Sequence, residues 1–198
     1  MCCSSRVWFS EAKVRPAHRA GALRGSENGR SSRIAVSRSA ATWRLLMPHE
    51  FKLTRRIEFA ETDMAGIVHF ANFFRMMEAT EHAFFRSLGF SIHAHENGAT
   101  TGWPRVSASC DYRAPLRFEE EVEIHLLVAE VRSRSIRYEF IFRKAADGGE
   151  VARGKLATVC ASVDKITGKL VPVAIPENIR NAITPAPAAL LTTTPSSS

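Results

Sequence analysis

Only one stretch of this chain repeats at helical spacing, and strand-like alternation lies on both sides of it. From about Ala71 to Leu88 the apolar residues Phe73, Phe74, Met77, Phe84, Phe85 and Leu88 recur near every third or fourth position. Gly89 is a suitable stop, and Asn72 is the expected cap, with a first turn that can begin a residue or two earlier. Before this helix, residues 52–60 alternate loosely and read as a strand. After Trp103 come four period-two segments. Val106, Ala108, Cys110 and Tyr112 share one face of the first. Val122, Ile124, Leu126 and Val128 form a face of the second, and Ile136, Tyr138, Phe140 and Phe142 a face of the third. The fourth, residues 151–163, is apolar or small on both faces, as a strand with neighbours on each side would be. Arg132-Ser133 and Asp147-Gly148-Gly149 mark the hairpin turns.

Strand, long helix and then four antiparallel strands is an α+β pattern. One helix can bury its apolar side only on the concave face of a curved antiparallel sheet of about five strands. Such a sheet keeps open edges and a partly apolar face, so assembly at least as a homodimer, or as a homotetramer, is expected.

Charge would point to nucleic acid only if it belonged to this domain. The formal charge is +7, but residues 1–46 hold eight Arg and one Lys against two Glu, and the remainder balances at 18 basic and 18 acidic side chains. The body of the chain therefore has no basic bias, and no nucleic-acid partner is expected. Residues 1–46 are Ser-, Arg-, Ala- and Gly-rich without a sustained apolar period, and read as a disordered leader. An upstream start ahead of a natural beginning at Met47 is the favoured explanation, a mitochondrial transit segment the other. The domain is expected over 47–183, with a short helix near Pro176–Ile183 and a low-complexity tail over 184–198. Ser91–Gly102, with Asn97-Gly98, reads as a loop with room for one helical turn. Cys2, Cys3, Cys110 and Cys160 form neither a metal set nor a disulfide framework, which favours a reducing, cytoplasmic setting. No apolar run is long enough to span a membrane.

The chain carries no G-x-S-x-G elbow, P-loop, G-x-G-x-x-G or H-E-x-x-H. His93 and His95 lack Cys or carboxylate partners at ligand spacing, so no metal is expected. Asp63 is different. It stands just before a Met64-Ala65-Gly66 turn that leads into the helix, where unpaired backbone N–H groups and a positive dipole end are available. A carboxylate beside such donors can activate water or attack an acyl group while the N–H groups hold the oxyanion. The same position also suits a turn residue that merely satisfies local N–H groups.

Phe59-Ala60-Glu61-Thr62-Asp63-Met64-Ala65-Gly66-Ile67-Val68-His69-Phe70-Ala71-Asn72-Phe73-Phe74-Arg75 resembles the signature of the 4-hydroxybenzoyl-CoA thioesterase family, which includes the Tol–Pal-associated acyl-CoA thioesterases. The similarity runs over roughly residues 51–180. It implies a hotdog fold and hydrolysis of an acyl-CoA to a carboxylic acid and free coenzyme A, with no cofactor beyond the coenzyme A of the substrate. By this resemblance Asp63 matches the catalytic carboxylate, and the N–H groups of Gly66, Val68 and Phe70 match the oxyanion turn. Arg132, Arg134 and Ser135 match a hairpin that contacts the coenzyme A phosphates in some members, although Ser133 stands where a second basic residue can occur; Arg132 and Arg134 also suit an ordinary solvated hairpin. Tol–Pal relatives often carry Tyr then His after the Val, whereas this chain has His69 then Phe70. His69 is thus a candidate catalytic helper or a residue that packs at the helix start. Glu78 and Glu81 lie on different sides of the helix and are not needed beside Asp63. Two rival readings are a hotdog enoyl-CoA hydratase or dehydratase, and a non-catalytic acyl-CoA or acyl-carrier-protein binding module.

Overall fold

A computed structural model of the chain describes residues 48–96, 99–164 and 166–191. The expected leader, residues 1–46, lies outside the described residues. Strands β1 (Glu50–Arg56), β4 (Arg105–Tyr112), β5 (Glu121–Val131), β6 (Ser135–Lys144) and β7 (Glu150–Val159) form one antiparallel sheet in the order β1-β5-β6-β7-β4. Helix α1 (Phe70–Ser87) lies across it. A smaller sheet, β2-β3-β8-β9, is built from Ala94–Glu96, Ala99–Gly102, Ala161–Val163 and Leu170–Pro172. Two short helices follow, α2 (Glu177–Ala182) and α3 (Ala188–Leu191). No helix among the described residues is long and apolar enough to cross a membrane.

The alternation sorts the sheet into two faces. Val122, Ile124, Leu126 and Val128 on β5 and Ile136, Tyr138, Phe140 and Phe142 on β6 are buried towards α1. The helix presents Phe73, Met76, Met77, Phe84 and Phe85 to them, all buried. Each such side chain contributes about 1.5–3 kcal/mol when fully removed from water, so this single layer contact carries most of the fold. Arg137, Glu139 and Lys155 alternate onto the other face. Helix α1 ends in two reciprocal bonds, Phe90 N–H to Phe85 O and Gly89 N–H to Arg86 O. They require the left-handed Gly89, at φ +83°.

Four local expectations change. β1 ends at Arg56 rather than continuing to residue 60, because Phe59–Glu61 turn as a 3₁₀ helix closed by mutual Glu58 and Glu61 bonds. The stretch 91–102 contains β2 and β3 in place of a plain loop. The fourth expected strand breaks at Cys160, whose N–H turns to Arg134 O. In β4 a bulge between Arg105 and Ser107 ejects Val106, which is 63% exposed, and turns Arg105 towards the helix instead.

Beyond Ile183 the chain is laid on the sheet where a tail was expected. Ala186 N–H donates to Val128 O at 2.7 Å, and Ala186, Leu190 and Leu191 pack over Leu127 and Ile141 on the face away from α1. Residues 192–198 lie outside the described residues.

Candidate active site

The turn before α1 is closed by its own backbone. Asp63 N–H donates to Ile67 O and Gly66 N–H to Asp63 O, both at 2.9 Å, with Gly66 at φ +70°. Ala65 N–H donates to Asp63 Oδ1 at 2.8 Å, so one carboxylate oxygen is fixed by the turn, as in the plain turn reading. The other oxygen has no such partner among the described residues. The turn is then stitched to the segment that links β4 to β5, by Val68 N–H to Leu116 O at 2.7 Å and an Ile67–Arg117 bridge. Glu61 fastens the opposite side. Its carbonyl receives His69 N–H at 2.9 Å and Asn72 Nδ2 at 2.7 Å, while its carboxylate meets Arg55 at 2.6 Å.

Asn72, the expected cap, is thus used to hold Glu61, and His69 caps the helix. His69 Nδ1 accepts Ala71 N–H at 3.3 Å, and the ring lies on Phe70 at a centroid distance of 4.4 Å. With Nδ1 accepting, the neutral ring carries its hydrogen on Nε2. His69 is not on the wall of the cavity that Asp63 lines.

That cavity, of about 460 Å³, is walled by Asp63, Ile67, Val68, Phe70, Phe73 and Tyr112, with Ala114 to Leu116 behind them. A larger hollow of about 570 Å³ lies on the other face of the sheet, among Ser107, Ser109, Arg137 and Lys155. It holds neither Asp63 nor a helix start, so size does not select it. Of the three N–H groups matched to an oxyanion turn, that of Gly66 is taken by Asp63 O and that of Val68 by Leu116 O. Both are corrected as donors to a substrate, since folding has already used their hydrogens. Phe70 N–H, in the first turn of α1, meets no acceptor among the described residues. Gly66 and Val68 act instead by shaping the turn and the wall.

The sequence marks Tyr112 only as a strand position. Its hydroxyl donates to Phe70 O at 3.2 Å and its ring meets Phe73 edge-on at 5.2 Å. Desolvation, with Cys110 and Asp111 adding to it, pushes Tyr112 up to about 12, so the hydroxyl stays protonated at neutral pH. The only hint in the sequence was its place at the end of β4, ahead of Pro115. Phe70 and Phe73 line the cavity, whereas Met76 and Met77 are fully buried core.

The hairpin matched to coenzyme A phosphates stands elsewhere. Arg132, Arg134 and Ser135 cluster where β5 turns into β6. Phe142, at the far end of β6, touches Phe73 in the cavity wall. Roughly 23 Å of strand, at about 3.3 Å per residue, separates Ser135 from Phe142. Arg132 Nε pairs with Glu130 at 2.8 Å, and Arg137 shares that carboxylate at 3.4 Å. Arg134 is exposed and has no ion pair among the described residues. One chain therefore does not bring this hairpin to Asp63.

A family model described as the thioesterase-like superfamily matches residues 57–183. A putative esterase of Aquifex aeolicus (strain VF5) is 33% identical over 94 residues, 48% of this chain and 73% of the relative. The 4-hydroxybenzoyl-CoA thioesterase of Pseudomonas sp. (strain CBS-3) is 27% identical over 108 residues, 53% of this chain and 76% of the relative. Among solved structures, a gentisyl-coenzyme A thioesterase superposes with a TM-score of 0.58 at 30% identity, covering 68% of this chain and 100% of that one.

Proposed function

The chain belongs to the thioesterase-like superfamily and is an acyl-CoA thioester hydrolase; we propose that Asp63 carries its reaction, with Phe70 N–H holding the oxyanion. The observation that carries this reading is that Asp63 and Phe70 line one mostly apolar cavity, and that Phe70 N–H meets no acceptor among the described residues. The thioester carbonyl lies between them. Asp63 attacks the carbonyl or removes a proton from the attacking water, and the helix dipole favours the negative oxygen. Coenzyme A leaves as the thiol and the acyl group as a carboxylic acid. No metal or redox cofactor enters these steps. Phe70, Phe73 and Tyr112 offer ring faces to the acyl group, and two similar proteins are named for aryl thioesters, so aryl-CoA substrates are the favoured class.

The working unit in this reading is a homodimer. β4 is an edge strand, and most of its residues are exposed. Pairing two copies of β4 antiparallel about a two-fold sets the Arg105 end of one beside the Tyr112 end of the other. The Arg132–Ser135 hairpin of one copy then lies at the same end as the partner's Asp63 turn. Coenzyme A bound at the hairpin would deliver its thioester across that boundary. The described cysteines, Cys110 and Cys160, are free thiols, which supports a reducing, cytoplasmic setting.

The test is thiol release over a panel of aryl and aliphatic acyl-CoA thioesters, for the wild type and Asp63→Asn. Asn keeps the oxygen that accepts Ala65 N–H, so melting should not change while turnover drops by roughly 10²–10⁴-fold. Binding of thioesters without release of thiol, or wild-type turnover in the Asn variant, would overturn the reading.

A further inference from the structure

Away from the Asp63 cavity, α1 carries a carboxylate that the proposed reaction does not use. Glu81 has no exposed surface. Its Oε2 accepts Arg105 Nη2 at 2.6 Å. Arg105, the first residue of β4, also meets Glu78 through Nη1 at 3.2 Å, so Glu78 and Glu81, expected on different sides of the helix, share one partner as i, i+3 neighbours; Arg105 Nη2 stands 3.1 Å from His82 Nε2. From the sheet side, Tyr138 on β6 and Thr158 on β7 close the group, both buried. Thr158 Oγ1 donates to Ile136 O at 3.4 Å, and its lone pairs stand beside the Tyr138 hydroxyl.

Three buried atoms of this junction have no partner among the described residues: Glu81 Oε1, Arg105 Nε and Tyr138 Oη. One is an acceptor and two carry hydrogens. Buried polar atoms are nearly always paired, and these three belong to side chains joined by the Glu81–Arg105 contact and by the influence of both on Tyr138. We propose that Glu81 Oε1, Arg105 Nε and Tyr138 Oη together bind one buried water molecule. The water accepts the guanidinium N–H and the phenol O–H and donates to the carboxylate. That makes three hydrogen bonds, the usual number for a buried water.

Water suits this place better than a fixed side chain. Burial pushes Glu81 up to about 7, against the pull of Arg105 and with Glu78 adding to the rise. The carboxyl therefore changes charge near neutral pH. Water and the Tyr138 hydroxyl can each donate or accept, so the junction stays paired in both states. The result is a hydrated tie between α1 and the start of the edge strand, one residue before its bulge.

A crystal structure of the full chain, at a resolution that shows ordered solvent, tests this directly. One solvent peak is expected within hydrogen-bond distance of all three atoms, and it should be lost or displaced in Tyr138→Phe. No peak in the wild type, or three atoms bonded to one another, overturns the proposal. A carboxyl NMR titration gives a second reading. The Glu81 midpoint should rise in Tyr138→Phe, because the water that steadies the ionised carboxylate loses a partner; an unchanged midpoint counts against the site.

Discussion

Met77 of α1 fills the space above Gly154 of β7, where any other residue would place its Cβ. The sheet is notched there, and the helix settles into the notch. Gly154 lies between Cys110 on β4 and Phe140 on β6, so the contact falls within the sheet and away from its edges.

Gly154→Ala should therefore lower stability by about 1–3 kcal/mol, the cost of forcing a methyl into a packed core. Met77 is fully buried and has little room to withdraw. Urea unfolding checks the loss. Combined with Met77→Ala, the total loss should be smaller than the sum of the two single losses, which two independent defects would not show.

His69→Ala should cost about 1 kcal/mol through loss of the cap on Ala71 N–H, and His69→Asn or His69→Ser should restore most of it. Turnover should follow the cap: Asn or Ser keeps it near wild type. If His69→Asn were as inactive as Asp63→Asn, the imidazole would have a chemical role beyond the cap.

Glu81 makes stability depend on pH with a definite sign. Its folded value of about 7 lies above its ordinary 4.5, chiefly because of burial. Its contribution is complete below about pH 4.5 and is lost as pH rises through 7, a span on the order of 3 kcal/mol. Gln at this position does not titrate. Thermal unfolding should show Glu81→Gln gaining on the wild type between pH 5 and pH 8; parallel curves would refute the assignment.

Arg134→Ala should raise KM for acyl-CoA about tenfold and leave kcat nearly unchanged, since a phosphate contact binds ground and transition states alike. The same change should hardly affect a short thioester without the nucleotide. Arg132→Ala should do less, because Glu130 already compensates that guanidinium.

Period was the legible part. The single helical repeat and the strand faces of residues 122–128 and 136–142 stand in the structure as read, because both periods report one buried layer. Val106 left its face because a bulge adds a residue to β4, and hydrophobic alternation carries no mark of a bulge. The cap passed from Asn72 to His69 because the Glu61 carbonyl, eleven residues away in the chain, takes the Asn72 side chain. Asp63 could be picked out beside a helix start. Which N–H stayed open could not, since Val68 is claimed by Leu116, a partner that only the folded sheet supplies.

The order of strands also has a consequence in time. Glu50 meets His125 across 75 residues of chain, and β4 cannot pair until β7 has been made. The helix between them is local and can form at once, yet it has no surface to lie on. Such high contact order slows folding. During synthesis the α1 segment therefore emerges before the strands β5, β6 and β7 that bury its apolar side, and that side stays uncovered until they follow.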